Sequence, residues 1–281
     1  AVQTPAHSQI GGLLSYRCPF EVAPGQLVRV PLGKREVLAV VWAVLDAAPA
    51  DMPESAVRDV LGVLEGLPPL DAAWRQLVQF SAQYYQRSLG EVALSALPPQ
   101  LRDLSNEQLA RRLKKQNTER ALHTTPGPAL SDEQSAVLAQ MATGTGPFLL
   151  FGATGSGKTE VYMQILQQIL TEPDAQALVL VPEINLTPQL EARFRNRLPH
   201  FPLVSLHSNL SESERLQNWR LAQSGQARII IGTRLAVFTP IPKLKIVMVD
   251  EEHDGSYKQQ DSMRYHARDV AMVRAQRAKV P

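Results

Sequence analysis

The stretch that decides the fold is Phe148–Thr159, FLLFGATGSGKT. Four apolar residues precede Gly152-x-x-x-x-Gly157-Lys158-Thr159, and an amphipathic run follows with Val161, Ile165 and Ile169 at helical spacing. Strand, glycine-rich loop and helix, in that order, form the setting in which a phosphate-binding loop works. Backbone N–H groups along Gly152, Ala153, Thr154, Gly155, Ser156 and Gly157 can curl around a phosphate, and the helix N-terminus adds a positive dipole end. Lys158 would reach the β- and γ-phosphates of a nucleotide, and the Thr159 hydroxyl would hold Mg²⁺.

A second stretch, Ile246–His253, IVMVDEEH, completes such a site. Its apolar β-formers predict a buried parallel strand with carboxylates at the C-terminal end, where doubly wound sheets place ligands. Asp250 would bind Mg²⁺, and Glu251 is placed to polarise an attacking water. The two stretches together read as a nucleotide triphosphatase. From Leu130 onward the pattern alternates. A capping box at Ser131 and Gln134 opens a helix with Val137, Leu138 and Met141 on one face. Strands are expected at 148–151, 177–181, 203–206, 227–231 and 244–249, with helices over 158–170, 187–198, 211–222 and 264–277. This alternation implies α/β architecture, a parallel sheet with right-handed crossovers.

The first hundred residues read differently. Strands are expected over 13–20, 26–31, 37–45 and 57–64, with turns at Pro24-Gly25 and Gly33-Lys34-Arg35, so a small barrel or curled sheet is predicted. From Asp71, a candidate N-cap, the period becomes helical through Trp74, Leu77, Val78, Ser81 and Tyr84-Tyr85. The tyrosine pair reads as helical-hairpin core. A second helix over 89–97 stops at Pro98-Pro99. Residues 105–129 are charged, contain Arg111-Arg112-Leu113-Lys114-Lys115 and end near Pro-Gly-Pro, which predicts a basic linker. The domain reading is therefore 1–104, linker 105–129 and 130–281.

Composition bounds the rest. The 281 residues are 44% hydrophobic and 20% charged, with net charge +2, so nucleic acid is permitted but not demanded. Cys18 is the single cysteine, which excludes an intrachain disulfide and a cysteine-based zinc site within these residues. No run of eighteen apolar residues and no leader pattern is seen, so no membrane partner is expected and the reading is cytoplasmic. His123, His200 and His207 show no metal-ligand spacing.

Three further stretches follow expected strands: VPEINLTPQ (181–189), GTR (232–234) and DGSYKQQDSMRYHARD (254–269). Each offers hydroxyls, small residues or cations suited to a nucleic-acid backbone. The order GKT, then VPEINLTPQ, then GTR, then DEEH resembles the first motor lobe of superfamily 2 helicases. GATGSGKTEVY, LVPEINLTPQ, IIIGTRLAVFTP and DEEHDGSYKQQDSMRYHARD resemble more closely the PriA family of primosomal replication-restart helicases. APGQLVRVPLGKRE and the Gln83-Tyr84-Tyr85…Leu89-Gly90 run resemble that family's domain for DNA 3′ ends.

The resemblance implies a RecA-like P-loop parallel sheet with flanking helices, preceded by a small β-rich DNA-binding domain. It implies an ATP-dependent 3′→5′ DNA helicase with ATP and Mg²⁺ as cofactors, which recognises stalled or branched forks. DNA (forked, single-stranded, 3′ ends), primosome proteins and single-strand-binding proteins are the implied partners. Gln134 would contact adenine. Lys158, Asp250, Glu251 and His253 would be catalytic, with His253 and the Tyr257–Tyr265 loop linking ATP state to DNA. Thr187, Thr233, Arg234, Tyr257, Arg264, Tyr265, His266 and Arg268 would face the strand, the tyrosines by stacking on bases. Tyr16, Gly33 and Arg58 would form the 3′-terminal pocket. The family's Phe-Asp-Tyr triplet stands here as Leu14-Ser15-Tyr16, and Met263 takes a position that is often aromatic. The family's winged-helix domain would be missing or reduced to the linker, and its zinc-binding cysteines and second motor lobe would follow Pro281. Two alternatives stand beside this reading: another superfamily 2 translocase, or a DNA-structure-binding module that holds nucleotide without turnover.

Overall fold

The computed structural model describes residues 1–3, 13–47, 53, 57–113, 127–144, 146–153, 155–183, 188–261 and 263–281. Thr154, Thr187 and Lys114-Lys115 lie outside the described residues.

The sheet that carries the candidate site has four parallel strands: β4 (Gln176–Leu180), β5 (Leu203–Leu206), β6 (Ile229–Gly232) and β7 (Leu244–Val249). Their order is β5-β6-β4-β7, so β4 is central and every one of its residues is buried. Parallel strands covered on both faces read as continuous apolar runs, and this one does apart from Gln176. Its amide is satisfied rather than stranded: Nε2 donates to Ala222 O and Ala227 O at 2.9 and 2.7 Å, and Oε1 accepts from Lys243 N at 3.1 Å. A buried amide paired in this way avoids a desolvation cost of about 1–3 kcal/mol. α5 (Lys158–Ile169) leads into β4, α6 (Pro188–Arg197) and α7 (Glu212–Gln223) cross from β4 to β5 and from β5 to β6, a short 3₁₀ turn (Arg234–Phe238) joins β6 to β7, and α8 (Ala267–Ala278) follows β7.

The helix caps stand where the sequence places them. Ser131 and Gln134 form a reciprocal capping box on α4 (Asp132–Thr143), and Asp71 accepts from Trp74 N at 2.7 Å to start α1 (Ala72–Tyr84).

Several expectations are corrected, among them the strand expected over 57–64, which is only Gly62–Val63. Phe148–Phe151 is not a strand; Leu149 and Phe151 are 76% and 93% exposed. A strand needs a ladder, and among the described residues nothing pairs with this segment; the edge of β7 gives Val247 N to Pro281 O at 3.0 Å instead. Residues 13–20 make a single bridge, Arg17 with Asp59, in place of a strand. The second N-terminal strand ends at Val40, short of the expected 37–45, and beyond it Arg75 of α1 donates to the Trp42 carbonyl at 3.0 Å. The charged stretch expected to be all linker carries a helix, α3 (Asn106–Leu113).

The N-terminal sheet thus has three antiparallel strands, β1 (Leu27–Leu32), β2 (Arg35–Val40) and β3 (Gly62–Val63), ordered β2-β1-β3. Leu32 pairs with Arg35, leaving Gly33-Lys34 as a two-residue hairpin loop with Gly33 at φ +61°. The helices α1, α2 (Leu89–Ser95) and α3 continue from it into one apolar cluster shared with the parallel sheet. Trp74 Nε1 donates to Phe238 O at 2.6 Å, and Gln223 Nε2 to Pro68 O at 2.8 Å. Arg274 of α8 is buried; it donates to Val237 O and Thr239 O at 2.6 and 2.8 Å, and burial pushes its guanidinium down to about 10. Of the tyrosine pair expected in this core, Tyr85 is half-buried but Tyr84 is 65% exposed, stacked on Phe80. Among the described residues no helix is long and apolar enough to cross a membrane.

Candidate nucleotide and DNA sites

The glycine-rich loop turns into α5 through Gly157, the N-cap, at φ +84°, and Gly155 has the same φ. A Cβ on Gly157 would meet the flexible tip of Gln134, Nε2, at 2.3 Å, and the left-handed φ is what favours glycine at this turn. Gln134 is used twice: Oε1 accepts from Ser131 N at 3.0 Å, and Nε2 donates to Ser156 O at 3.2 Å. The amide expected to read adenine therefore ties α4 to the loop here.

Lys158 Nζ donates to Gly152 O at 2.7 Å and Ala153 O at 3.3 Å, and lies 3.9 Å from Glu251 Oε1. One ammonium thus connects the loop to the carboxylates at the end of β7. Asp250 N donates to Leu180 O at 2.9 Å, extending the β4–β7 pairing into the site. Burial, then the neighbouring Glu251, raises the Asp250 carboxyl above its usual range. Glu251 sits at φ +43°, a left-handed backbone that costs a non-glycine residue about 1–2 kcal/mol. Its strain is retained by a buckle. Tyr257 OH donates to Asp250 O at 2.6 Å, Asp254 N to Glu251 O at 2.9 Å, and Ser256 N to Asp254 Oδ1 at 2.7 Å. His253 is exposed, with Nε2 3.8 Å from Glu251 Oε2.

The donor set fits a nucleotide with Mg²⁺. Gly155 and Gly157 add no side chain to the loop, Lys158 could supply the cation, and Thr159 and Asp250 could supply oxygen ligands. Among the described residues no group of three or more His, Cys, Asp or Glu gathers into a metal site. Mg²⁺ asks for little of that, since it keeps water and phosphate oxygens with one or two protein ligands.

Tyr162 was missed by sequence reasoning. It lies on α5 four residues after Lys158, hence on the same face, and that spacing was the available signal. Its hydroxyl neighbours the Asp250 carboxylate, and burial, then Asp250, raises its pKa. Glu183 and Glu252 were missed as well: both stand inside quoted stretches, but their partners Arg234 and Arg268 are 51 and 16 residues away. Glu183 accepts from Ser208 Oγ at 2.7 Å and lies 3.5 Å from Arg234, while Glu252 accepts from Arg268 at 2.9 Å.

The expected DNA-facing residues divide. Arg234 donates to Ser256 O at 3.2 Å and stays partly exposed; Thr233, which precedes it, is buried. Arg264 is exposed and donates to Gln260 O at 3.1 Å. Arg268 is paired with Glu252 and Asp269, and His266 N donates at 3.2 Å to the OH of Tyr85, the C-cap of α1. Tyr257 and Tyr265, expected to stack on bases, are instead in the core. Tyr257 is fully buried, and Tyr265 is 4% exposed with its ring edge-on to Phe238. The loop between them closes through a short ribbon, β8 (Lys258–Gln259) with β9 (Tyr265–His266), which turns both rings inward. In the N-terminal sheet Arg58 donates to Gly33 O at 2.6 Å, bringing two of the expected pocket residues together, and Tyr16 OH donates to Pro31 O at 3.1 Å nearby.

Comparison with known proteins follows the same division. Residues 1–98 match the 3′ DNA-binding domain family, and residues 128–280 the DEAD/DEAH box helicase family. The chain is similar to the replication restart protein PriA of Haemophilus influenzae, 34% identical across 95% of this chain and 46% of that protein. It is also similar to the proteins of that name from Bacillus subtilis and Synechocystis, 45% and 52% identical over 134 residues, which are 48% and 47% of this chain and 16% of each relative. The chain therefore spans less than half the length of these relatives. The Haemophilus alignment runs over 341 positions, longer than the chain, so within the matched span that protein carries sequence with no counterpart here. With a family match over more than half its length, enclosing the loop, the strained glutamate and the β7 carboxylates, the chain belongs to the DEAD/DEAH box helicases.

Proposed function

We propose that this chain is the DNA-end-binding and ATP-binding part of an ATP-dependent 3′→5′ DNA helicase that restarts replication at stalled or branched forks in the cytoplasm. The observation that carries the reading is Lys158 held between the carbonyls of its own loop and Glu251, 3.9 Å away. That geometry supports a nucleotide whose phosphates displace the Lys158 bonds to Gly152 O and Ala153 O, with Thr159 and Asp250 on Mg²⁺. When bound, Mg²⁺ neutralises phosphate charge; Glu251 orients and deprotonates the water. Thr187, Thr233, Arg234 and Arg264 are proposed to hold a strand backbone, and Tyr16, Gly33 and Arg58 a 3′-terminal nucleotide. The likeness to the replication restart proteins supports a primosome role and contact with single-strand-binding protein. The residues around 105–129 are proposed to stand where the Haemophilus protein carries its extra sequence.

The test uses residues 1–281 as they are. Mg²⁺-dependent binding of a fluorescent ATP analogue should weaken at least about 10-fold in Lys158→Ala, and forked DNA with a 3′-hydroxyl arm should bind better than the same fork with a 3′-phosphate. ATP hydrolysis is measured with and without single-stranded DNA. Nucleotide binding that ignores Lys158 overturns the ATP site, and equal affinity for both ends overturns the end pocket.

A further inference from the structure

At the C-terminal end of α1 three aromatic rings pack together. Phe80 and Tyr84, one helical turn apart, stack with centroids at 5.4 Å and planes 21° from parallel. Tyr85 meets Tyr84 edge-on at 4.9 Å, and the Arg277 guanidinium of α8 lies over the Phe80 ring, 5.3 Å from its centroid. Phe80 and Tyr85 are half-buried by this packing, yet Tyr84 is 65% exposed. Aromatic rings ordinarily contribute by being buried. This one is held by two ring contacts with most of its surface open, so another flat group can extend the stack.

The surroundings of the stack argue for what covers it. The Tyr85 hydroxyl accepts from His266 N, so α1 is tied here to β9, within the stretch that carries Arg264. Two residues of chain span at most about 7 Å, which keeps the Arg264 backbone that close to His266. Arg264 is exposed and donates to Gln260 O. Arg87 is matched by Glu91 at 3.9 Å, and Arg268 by Glu252 and Asp269. Among the described residues Arg264 and Arg277 have no such carboxylate partner, and Arg277 is held by the Phe80 ring instead. Unmatched cations beside an open aromatic stack suit an anionic chain that also carries flat apolar groups. A DNA single strand has both, phosphates for the guanidiniums and unpaired bases for the ring.

We propose that Tyr84 is a base-stacking platform: one unpaired base of a bound DNA single strand extends the Phe80–Tyr84 stack while the backbone passes Arg264. The contact is made by the ring face and asks nothing of the hydroxyl, so it is indifferent to base identity. The inference rests on the DNA-binding reading of Arg264 and adds to it a site on α1.

The test compares two short oligonucleotides by fluorescence anisotropy with residues 1–281. One is all thymidine. The other has abasic sugars at internal positions but the same thymidine termini and the same 3′-phosphate, so the end pocket meets identical ends. Tyr84→Ala should weaken binding of the thymidine strand about 10-fold, the scale of one stacked base, and of the abasic strand less than about 2-fold. The salt slope should not change, since no phosphate contact is lost. Tyr84→Phe keeps the ring and should stay within about 2-fold of the wild type on both strands. Tyr84→Leu, apolar and able to pack on Phe80 but not flat, should lose as much as Tyr84→Ala. Arg264→Ala should instead weaken both strands alike and lower the salt slope by about 0.7. Equal losses on the two strands in Tyr84→Ala and Tyr84→Leu, or none on either, overturn the platform and leave the DNA-binding reading standing. A change in the solution mass of the chain with DNA affinity untouched makes this face a contact between copies and also overturns it. Binding of neither strand by the wild type overturns both readings.

Discussion

The two halves of the candidate nucleotide site are held by unlike means. The carboxylate half ends a strand inside the sheet, with Asp250 N on Leu180 O and the Asp250 carbonyl pinned by the hydroxyl of a fully buried tyrosine. The loop half follows a segment that pairs with no strand among the described residues, and its lysine spends its donors on its own loop. The more specific signature in the sequence, GATGSGKT, is thus the less supported in the structure. Specificity of a motif reports the chemistry it performs; support depends on the ladder and packing around it, which are non-local.

If that contrast is right, disruption at the carboxylate half should cost most. Tyr257→Ala removes a fully buried aromatic ring together with the donor to Asp250 O, so it should destabilise the chain by about 3–5 kcal/mol in urea unfolding. Tyr257→Phe keeps the ring and should cost about 1 kcal/mol, the net worth of one hydrogen bond. Equal losses for the two variants would show that packing plays no part.

Lys158→Ala probes the other half and should separate binding from stability. Affinity for the Mg²⁺-bound ATP analogue should fall about 10- to 100-fold, matching 1.5–3 kcal/mol for hydrogen bonds to a charged group. The unfolding free energy should move by less than about 0.5 kcal/mol, as expected of a side chain that supports no core. A stability loss comparable to that of Tyr257→Ala would erase the contrast.

Much of this was legible because it is local. Periodicity and caps give α1, α4, α5 and α7, and apolar runs give β4 to β7, since each rests on residues a few positions apart. The Lys158–Glu251 pairing followed from the two motifs being ends of elements in one sheet. What was not legible is non-local. Nothing near Phe148–Phe151 says whether a neighbouring strand will pair with it, and nothing in the YHARD stretch says that Tyr265 will meet Phe238. Polar context misled too: two tyrosines in a charged loop look exposed, yet each ring is drawn inward by a short ribbon and an α8 contact that the local pattern does not encode.

A smaller effect concerns charge at the buckled half. The folded chain favours protonated Asp250, because burial and Glu251 raise its carboxyl. Its contribution to stability is therefore fully present below the usual Asp range, about 3.9, and is lost as pH rises through the raised value. Asp250→Asn removes that loss. The variant should unfold at a higher temperature than the wild type near neutral pH and at the same temperature below the usual carboxylate range, while Mg²⁺ no longer strengthens nucleotide binding. A wild-type advantage at neutral pH would mean that Lys158 and Tyr162 more than compensate the buried charge.

The smallest expected effect is the sharpest test of the comparison. Leu149 and Phe151 are large apolar residues in the segment that the sequence predicts as the strand leading into the loop, yet they are 76% and 93% exposed. Were the segment a central strand, a charge at either position would be buried or a cavity opened, at a cost of several kcal/mol. Exposed as they are, Leu149→Lys and Phe151→Asp should each change the unfolding free energy by no more than about 0.5 kcal/mol. The two residues would face opposite sides of a strand only at odd separation; two apart, they share a face, so a real strand would respond at both sites together. A loss above about 2 kcal/mol at both positions would place the segment in a ladder and give the two halves of the site the same kind of support. A null result at both, with Tyr257→Ala costly in parallel, locates the firm half of the site at the end of β7.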